Sequence, residues 1–295
     1  MLKQGDKIAL VCCSNGLDQG ERETVILLKQ RIEELGLVPV ESPYIYQKES
    51  VLSGSGKERA EALEGCYRNS DVKAIFDISG GDVANEVLSY LDFSVIREYT
   101  KSFFGYSDLT TVLNAIYTMT GHFSGLYQIR NLVGSYGERQ IREFYHTFMT
   151  TNLEETGDLC KFDYHFLRGT SMRGIVVGGN MRCLLKLAGT LFWPDLKGKI
   201  LFLESNGGEV PQMMTYVNQL RQMGIFKEVA GILLGTFTRM EKEGCTPTVD
   251  AMILEAVKTE ETPGTEIPVA KTSEIGHGSD SKCLMIGAEL SLQEI

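Results

Sequence analysis

Three side chains of this sequence stand where α/β proteins do their chemistry. Ser107 lies in "KSFFGYSDLTTVLNAIYTMTG", where an apolar run meets a helical pattern. Glu204 ends "KILFLE" ahead of "SNGG". His277 sits between two glycines in "SEIGHGSDSKCL". A serine becomes a nucleophile when a base takes its proton and a third group orients the base. Gly105-Tyr106-Ser107-Asp108 has the form of a nucleophile elbow without its closing glycine. A hydroxyl there would stand in the positive field of a helix start, and the backbone N–H of Asp108 could receive an oxyanion. The bland reading is equally physical: Ser and Asp are preferred N-caps, Glu204 suits an ordinary strand-end charge, and an isolated loop histidine is commonly a surface residue.

A glycine pair follows another apolar run in "ISGGDVANEVL". Gly80 and Gly81 permit a close backbone approach and can offer N–H groups to an anion, or simply make a tight turn. Neither "SGGDVA" nor "VVGGNM" is GxGxxG, which disfavours a dinucleotide site. Of the remaining histidines, His122 follows a helix-ending glycine, and His146 and His165 lie in aromatic segments suited to packing. No HExxH or other ligand spacing supports a metal.

The elements that must position these residues are legible as alternating strands and helices. "KIALVCC", "LVPVES", "VKAIFDIS" and "SFFGYS" read as short strands. Helices are expected over "ETVILLKQRIEELG", Lys57–Arg68, "DVANEVLSYL" and "DLTTVLNAIYTMTG". That alternation predicts a parallel sheet with a site beyond its carboxyl ends. Residues 131–170 show no clean periodicity. Further on, "MRGIVVGGN", "GKILFLES", "VAGILLGTF", "PVAKTSE" and "CLMIGAEL" read as strands. Helical patterns fall between them in "MRCLLKLAGT", "VPQMMTYVNQLRQMG" and "TVDAMILEAVKT". The expected organisation is an α/β domain over 1–150, a connector over 151–170, and a mixed α/β domain over 171–295.

The chain has 295 residues and a net charge of −10. That acidity argues against nucleic acid as a partner. Seven cysteines (Cys12, Cys13, Cys66, Cys160, Cys183, Cys245 and Cys283) without a CxxC pair form neither a disulfide framework nor a zinc pattern. A reducing, cytoplasmic setting is expected. The opening apolar run is too short for a signal or a membrane span.

Taken together and in order, the blocks resemble the LD-carboxypeptidase family of serine peptidases, which includes the microcin C immunity peptidases. The carriers are "GDKIALVCCSNG", "ISGGDVANEVL", "FFGYSDLT", "VVGGN", "LAGTLFWPDLKGKILFLE", "QLRQMGIFKEVAGILLGTF" and "IGHGSDSKCLMIGAEL". The resemblance spans nearly the whole chain. It implies Ser107 as nucleophile, Glu204 as the acid and His277 as the base, in a cleft between two domains, and it implies a homodimer. The sequence departs from the family pattern in two places. Ser79 stands where murein-recycling members often carry arginine, and "CCSNG" replaces a proline-serine pair; the "SGG" form is closer to the immunity branch.

The resulting expectation is amide hydrolysis through an acyl-enzyme, without metal or organic cofactor. Oxyanion donors are expected from Asp108 and from Gly81 or Asp82. The resemblance implies as substrate a murein tetrapeptide, cut between an L-centre and D-alanine, or a peptidyl-nucleotide antibiotic. Two other functions fit the same residues. One is a non-catalytic two-domain protein that binds a small ligand; the other is an esterase or acyl transferase using the same serine.

Overall fold

The computed structural model describes residues 1–150, 159–260 and 266–294. The chain opens with Lys7–Val11 (β1), Arg22–Glu34 (α1), Val38–Glu41 (β2), Gly56–Arg68 (α2) and Val72–Asp77 (β3). Two short helices, Ala84–Val87 (α3) and Phe93–Glu98 (α4), lead to Ser102–Gly105 (β4), Thr110–Thr120 (α5), Ser124–Leu126 (β5) and Gly137–Phe148 (α6). Local chemistry marks the ends. Ser55 and Glu58 form a reciprocal capping box at the start of α2, satisfying backbone donors the helix leaves open. Gly121 ends α5 at φ = +78°, a conformation glycine adopts without penalty.

These five strands are all parallel, in the order β5-β4-β3-β1-β2. The order reverses between β1 and β3, which is where open parallel sheets leave a crevice at their carboxyl ends. The segments Ser14-Asn15-Gly16 and Ser79-Gly80-Gly81 leave the sheet at that crevice, and an isolated bridge joins Asn15 to Gly80.

The second half contains His165–Arg168 (β6), Ser171–Asn180 (β7), Met181–Leu185 (α7), Ile200–Ser205 (β8), Val210–Gln222 (α8) and Gly231–Phe237 (β9). Thr238–Glu243 (α9), Val249–Glu260 (α10), Val269–Lys271 (β10), Leu284–Ile286 (β11) and Glu289–Gln293 (β12) complete it. Its sheet runs β12-β7-β8-β9-β10-β6, with parallel pairs from β7 to β10 and antiparallel strands at both edges. Every residue of β8 is buried, as expected of a strand covered on both faces.

The structure differs from the sequence expectations at several segments. The helix expected over "DVANEVLSYL" is only Ala84–Val87, and that expected over "MRCLLKLAGT" only Met181–Leu185. "CLMIGAEL" is two strands, not one. Gly287, at φ = +90°, breaks it; β11 joins β5 of the first sheet while β12 joins β7 of the second. The chain's last stretch therefore stitches the two sheets together. Part of 131–170 is the helix α6, whose Phe144 and Phe148 pack on Phe76 and Phe104. The expected connector contains β6, and its residues 151–158 lie outside the described residues.

The halves meet through buried polar contacts as well as apolar ones. Asn114 of α5 donates to the carbonyl of Gly178 in β7 and accepts from its N–H, each at 2.9 Å. A side-chain amide that pairs a strand's free N–H and C=O satisfies both groups away from water. It also fixes α5, and the turn that precedes it, against the second sheet.

Candidate active site

At the end of β4 the backbone turns through Tyr106 into a 3-10 turn, Ser107–Leu109, that feeds α5. Ser107 has φ = +54°. A non-glycine residue held there costs on the order of 1–3 kcal/mol and persists only where its surroundings fix it. The neighbouring Asp108 supplies much of that fixing. Its fully buried carboxylate accepts from Ser14 Oγ at 2.7 Å and from the Ala84 N–H at 2.8 Å, and pairs with Lys186. Gly105 is also required, since a Cβ there would lie 2.8 Å from Leu109 Cβ.

Glu204 and Asn180 are register partners on the parallel strands β8 and β7. Asn180 Nδ2 donates to Glu204 Oε1 at 3.0 Å, and both residues are buried. The β8–β9 register shifts between Leu203 and Ser205; an irregularity of this kind re-aims the side chain it contains.

His277 reaches the same point from the loop before β11. The loop is pinned where Thr236 N–H donates to Ile275 O at 3.0 Å and Gly276 N–H donates to Ser281 Oγ at 3.0 Å. Gly276, at φ = +155°, has no room for a Cβ against Thr236. His277 Nδ1 then lies 2.6 Å from Glu204 Oε2, with both side chains almost fully buried. Nε2 is buried and has no hydrogen-bond partner, and the Tyr106 ring centroid is 5.2 Å from that of the imidazole.

Ser107 and His277 line one cleft of about 590 Å³, together with Gly80, Gly81, Asp82 and Arg182. No hydrogen bond joins Ser107 to His277 among the described residues. Glu204 lies behind His277, away from the cleft lining. Of the expected oxyanion donors, the N–H of Asp82 is taken up by Asn15 Oδ1 at 3.0 Å. The N–H groups of Gly81 and Asp108 make no hydrogen bond among the described residues.

Titration narrows the nucleophiles. Burial pushes the Cys12 and Cys13 thiols well up, reinforced by the nearby Asp77 charge, and burial followed by Asp108 raises Cys183. Such thiols stay protonated and unreactive. The hydrogen bond from Arg182 holds the Asp82 carboxyl below its usual range, so Asp82 stays an anion. Among the described residues, no group of three or more His, Cys, Asp or Glu is placed to hold a metal, and no helix is long and apolar enough to cross a membrane.

Sequence reasoning passed over Asn114, Asn180, Arg182 and Lys186. Asn180 did carry a signal: it ends an apolar strand just before a helix and caps α7 by accepting from Cys183 N–H. Arg182 and Lys186 read as ordinary helix charges, because nothing in the sequence pairs them with residues 80–108.

Residues 8–127 match the model of the LD-carboxypeptidase N-terminal domain, and residues 173–292 match that of the LD-carboxypeptidase C-terminal domain. The chain belongs to the LD-carboxypeptidase family. This carboxypeptidase-family chain is a peptidase, as the resemblance of its sequence blocks implied. It is 29% identical to a probable murein peptide carboxypeptidase of Bacillus subtilis (strain 168), over 99% of this chain and 90% of that protein. It is 26% identical to the microcin C7 self-immunity protein MccF of Escherichia coli, over 81% of this chain and 76% of that one. A solved structure of MccF in complex with glutamyl sulfamoyl guanosine superposes with a TM-score of 0.85, covering 100% of this chain and 97% of that chain at 20% identity. That likeness establishes the shared two-sheet α/β fold of the carboxypeptidase.

Proposed function

We propose that this LD-carboxypeptidase-family enzyme hydrolyses an amide bond in a small peptide through Ser107, His277 and Glu204. The observation that carries the reading is the His277–Glu204 pair. A 2.6 Å contact from Nδ1 to a buried carboxylate leaves Nε2 as the unpartnered nitrogen of a residue that shares the cleft with Ser107. Glu204 holds the imidazole in one orientation and stabilises the imidazolium that forms on proton uptake. Asn180 holds Glu204.

In this mechanism Ser107 Oγ attacks the carbonyl carbon as its proton passes to His277 Nε2. The N–H groups of Asp108 and Gly81 receive the developing oxyanion, each donor being worth about 3 kcal/mol. The C–N bond breaks as His277 returns the proton to the leaving amine. Water, deprotonated by His277, then attacks the acyl-enzyme, and the acid leaves as Ser107 is reprotonated. The first half of the chain, through residue 150, carries the nucleophile. Residues 171–295 carry the base and its orienting acid, and the connector lies between. A cytoplasmic homodimer is part of the same reading.

The substrate is one of the two that the family resemblance implies: a murein tetrapeptide cut between an L-centre and D-alanine, or a peptidyl-nucleotide antibiotic. The test is a panel of both amides and a matched ester, with the released amine identified by mass. Hydrolysis of either amide above the Ser107→Ala background supports the reading. Cleavage of the ester alone would make the enzyme an esterase or acyl transferase. Binding without cleavage of any of them would leave a ligand-binding protein.

A further inference from the structure

Arg182 in α7 and Lys186 at its C-cap are spaced i, i+4, so both side chains leave the helix on one face. Both cross to the first half of the chain. Arg182 donates to Gly81 O at 2.7 Å and pairs with the Asp82 carboxylate. Lys186 donates to Asp82 O at 2.7 Å and pairs with the buried carboxylate of Asp108. The two cations thus land on the two segments whose N–H groups, at Gly81 and Asp108, are unengaged.

The contacts fix more than charge. Asn15 N–H donates to Gly80 O at 3.2 Å, and Asn15 Oδ1 accepts from Asp82 N–H at 3.0 Å. With Arg182 on Gly81 O, the peptides on both sides of Gly81 are held. Since each peptide unit is planar, the bond from Asn15 N–H to Gly80 O orients the Gly81 N–H, and the Arg182 and Asn15 Oδ1 bonds hold the peptide that follows Gly81. On the other segment, Asp108 is held through its own carboxylate by Lys186, Ser14 and Ala84. A Cβ built on Gly80 would lie 3.9 Å from Ser107 Cβ, so the glycine loop runs beside the serine.

We propose that Arg182 and Lys186 are positioning residues: a two-cation clamp from α7 that aims the Gly81 and Asp108 N–H groups at the reacting carbonyl. The oxyanion site is then complete only when the second half is docked on the first. The inference rests on Ser107 being the nucleophile. A plain interdomain staple made of the same ion pairs would affect stability without a selective effect on reaction at the serine.

The test is the rate at which a fluorophosphonate modifies Ser107, followed by intact mass together with the thermal midpoint. In this reaction the Ser107 Oγ–P bond forms, the P–F bond breaks, fluoride leaves and the serine proton passes to His277. Arg182→Met and Lys186→Met should each slow modification at least about tenfold, and the double variant should approach the 10²–10³-fold typical of losing one oxyanion donor. Arg182→Lys, which keeps the charge but loses the two-pronged contact, should fall between wild type and Arg182→Met. A folded double variant modified at the wild-type rate overturns the clamp. If the methionine variants do not fold, Arg182→Lys and Lys186→Arg decide: slower modification at an unchanged midpoint supports the clamp, and an unchanged rate overturns it. Folded wild type that is not modified at Ser107 overturns the serine reading, and the clamp with it. Normal modification of wild type alongside unaffected variants overturns the clamp alone.

Discussion

Asn180 and Glu204 face each other across neighbouring parallel strands, and the asparagine amide donates to the glutamate at 3.0 Å. Asn180 N–H also donates to Thr110 Oγ1 at 2.9 Å, three residues after Ser107. One asparagine therefore links the helix behind the serine to the acid behind the histidine. Asn180→Ala should lower turnover about tenfold and stability by about 1–3 kcal/mol, because Glu204 loses a buried donor and α7 its cap. Parallel measurement of kcat and chemical denaturation checks this; loss of stability with unchanged kcat would separate Asn180 from the reaction.

Glu204→Gln keeps the shape of the side chain and removes its charge. The variant should remain folded and lose roughly 10³–10⁴-fold in kcat, the scale set when a triad acid is neutralised. Steady-state kinetics on the cleaved amide provide the check. A loss of less than tenfold would mean that His277 does not need its carboxylate partner.

Gly81 has φ = +122°, and a Cβ there would enter the space of the Asn15 side chain. Gly81→Ala should cost about 1–3 kcal/mol in stability. By displacing one oxyanion donor it should also cut kcat about 10²-fold. Calorimetry and kinetics on the same sample test both effects; a variant with full activity would remove Gly81 from the donor pair.

The site was partly legible in the sequence because its three candidate side chains sit at strand ends or in a glycine-flanked loop. Those positions follow from the strand–helix alternation and from the quoted blocks. What holds them was not legible. Lys186 is 78 residues from Asp108 along the chain, and neither residue type nor spacing predicts that this lysine reaches a buried aspartate. The helix α6 escaped because its buried face mixes Gln140 and Glu143 with Phe144, so polar partners interrupt the apolar stripe. Gly287 divides a run of apolar residues that reads as one strand, and only tertiary pairing reveals that its two pieces serve different sheets.

Asp77 is buried with no cation paired to it among the described residues, accepting from Cys13 N–H at 2.7 Å and from Ser79 N–H at 2.8 Å. Burial raises its pKa despite those hydrogen bonds. The folded protein therefore holds the Asp77 proton more tightly than the unfolded chain does. This group's contribution to stability is most favourable below the unfolded carboxyl value of about 3.9. It declines as pH rises toward the folded pKa. Asp77→Asn lacks that decline, so its stability relative to wild type should increase with pH. Denaturation midpoints at several pH values test this; a constant difference would contradict it.

The most direct test of the central claim is kcat for Ser107→Ala against wild type on the amide that wild type cleaves. Ser107→Ala should keep an intact fold and lose about 10⁴–10⁶-fold, as for other triad serines. A folded Ser107→Ala protein that turns over the amide at the wild-type rate would contradict the claim.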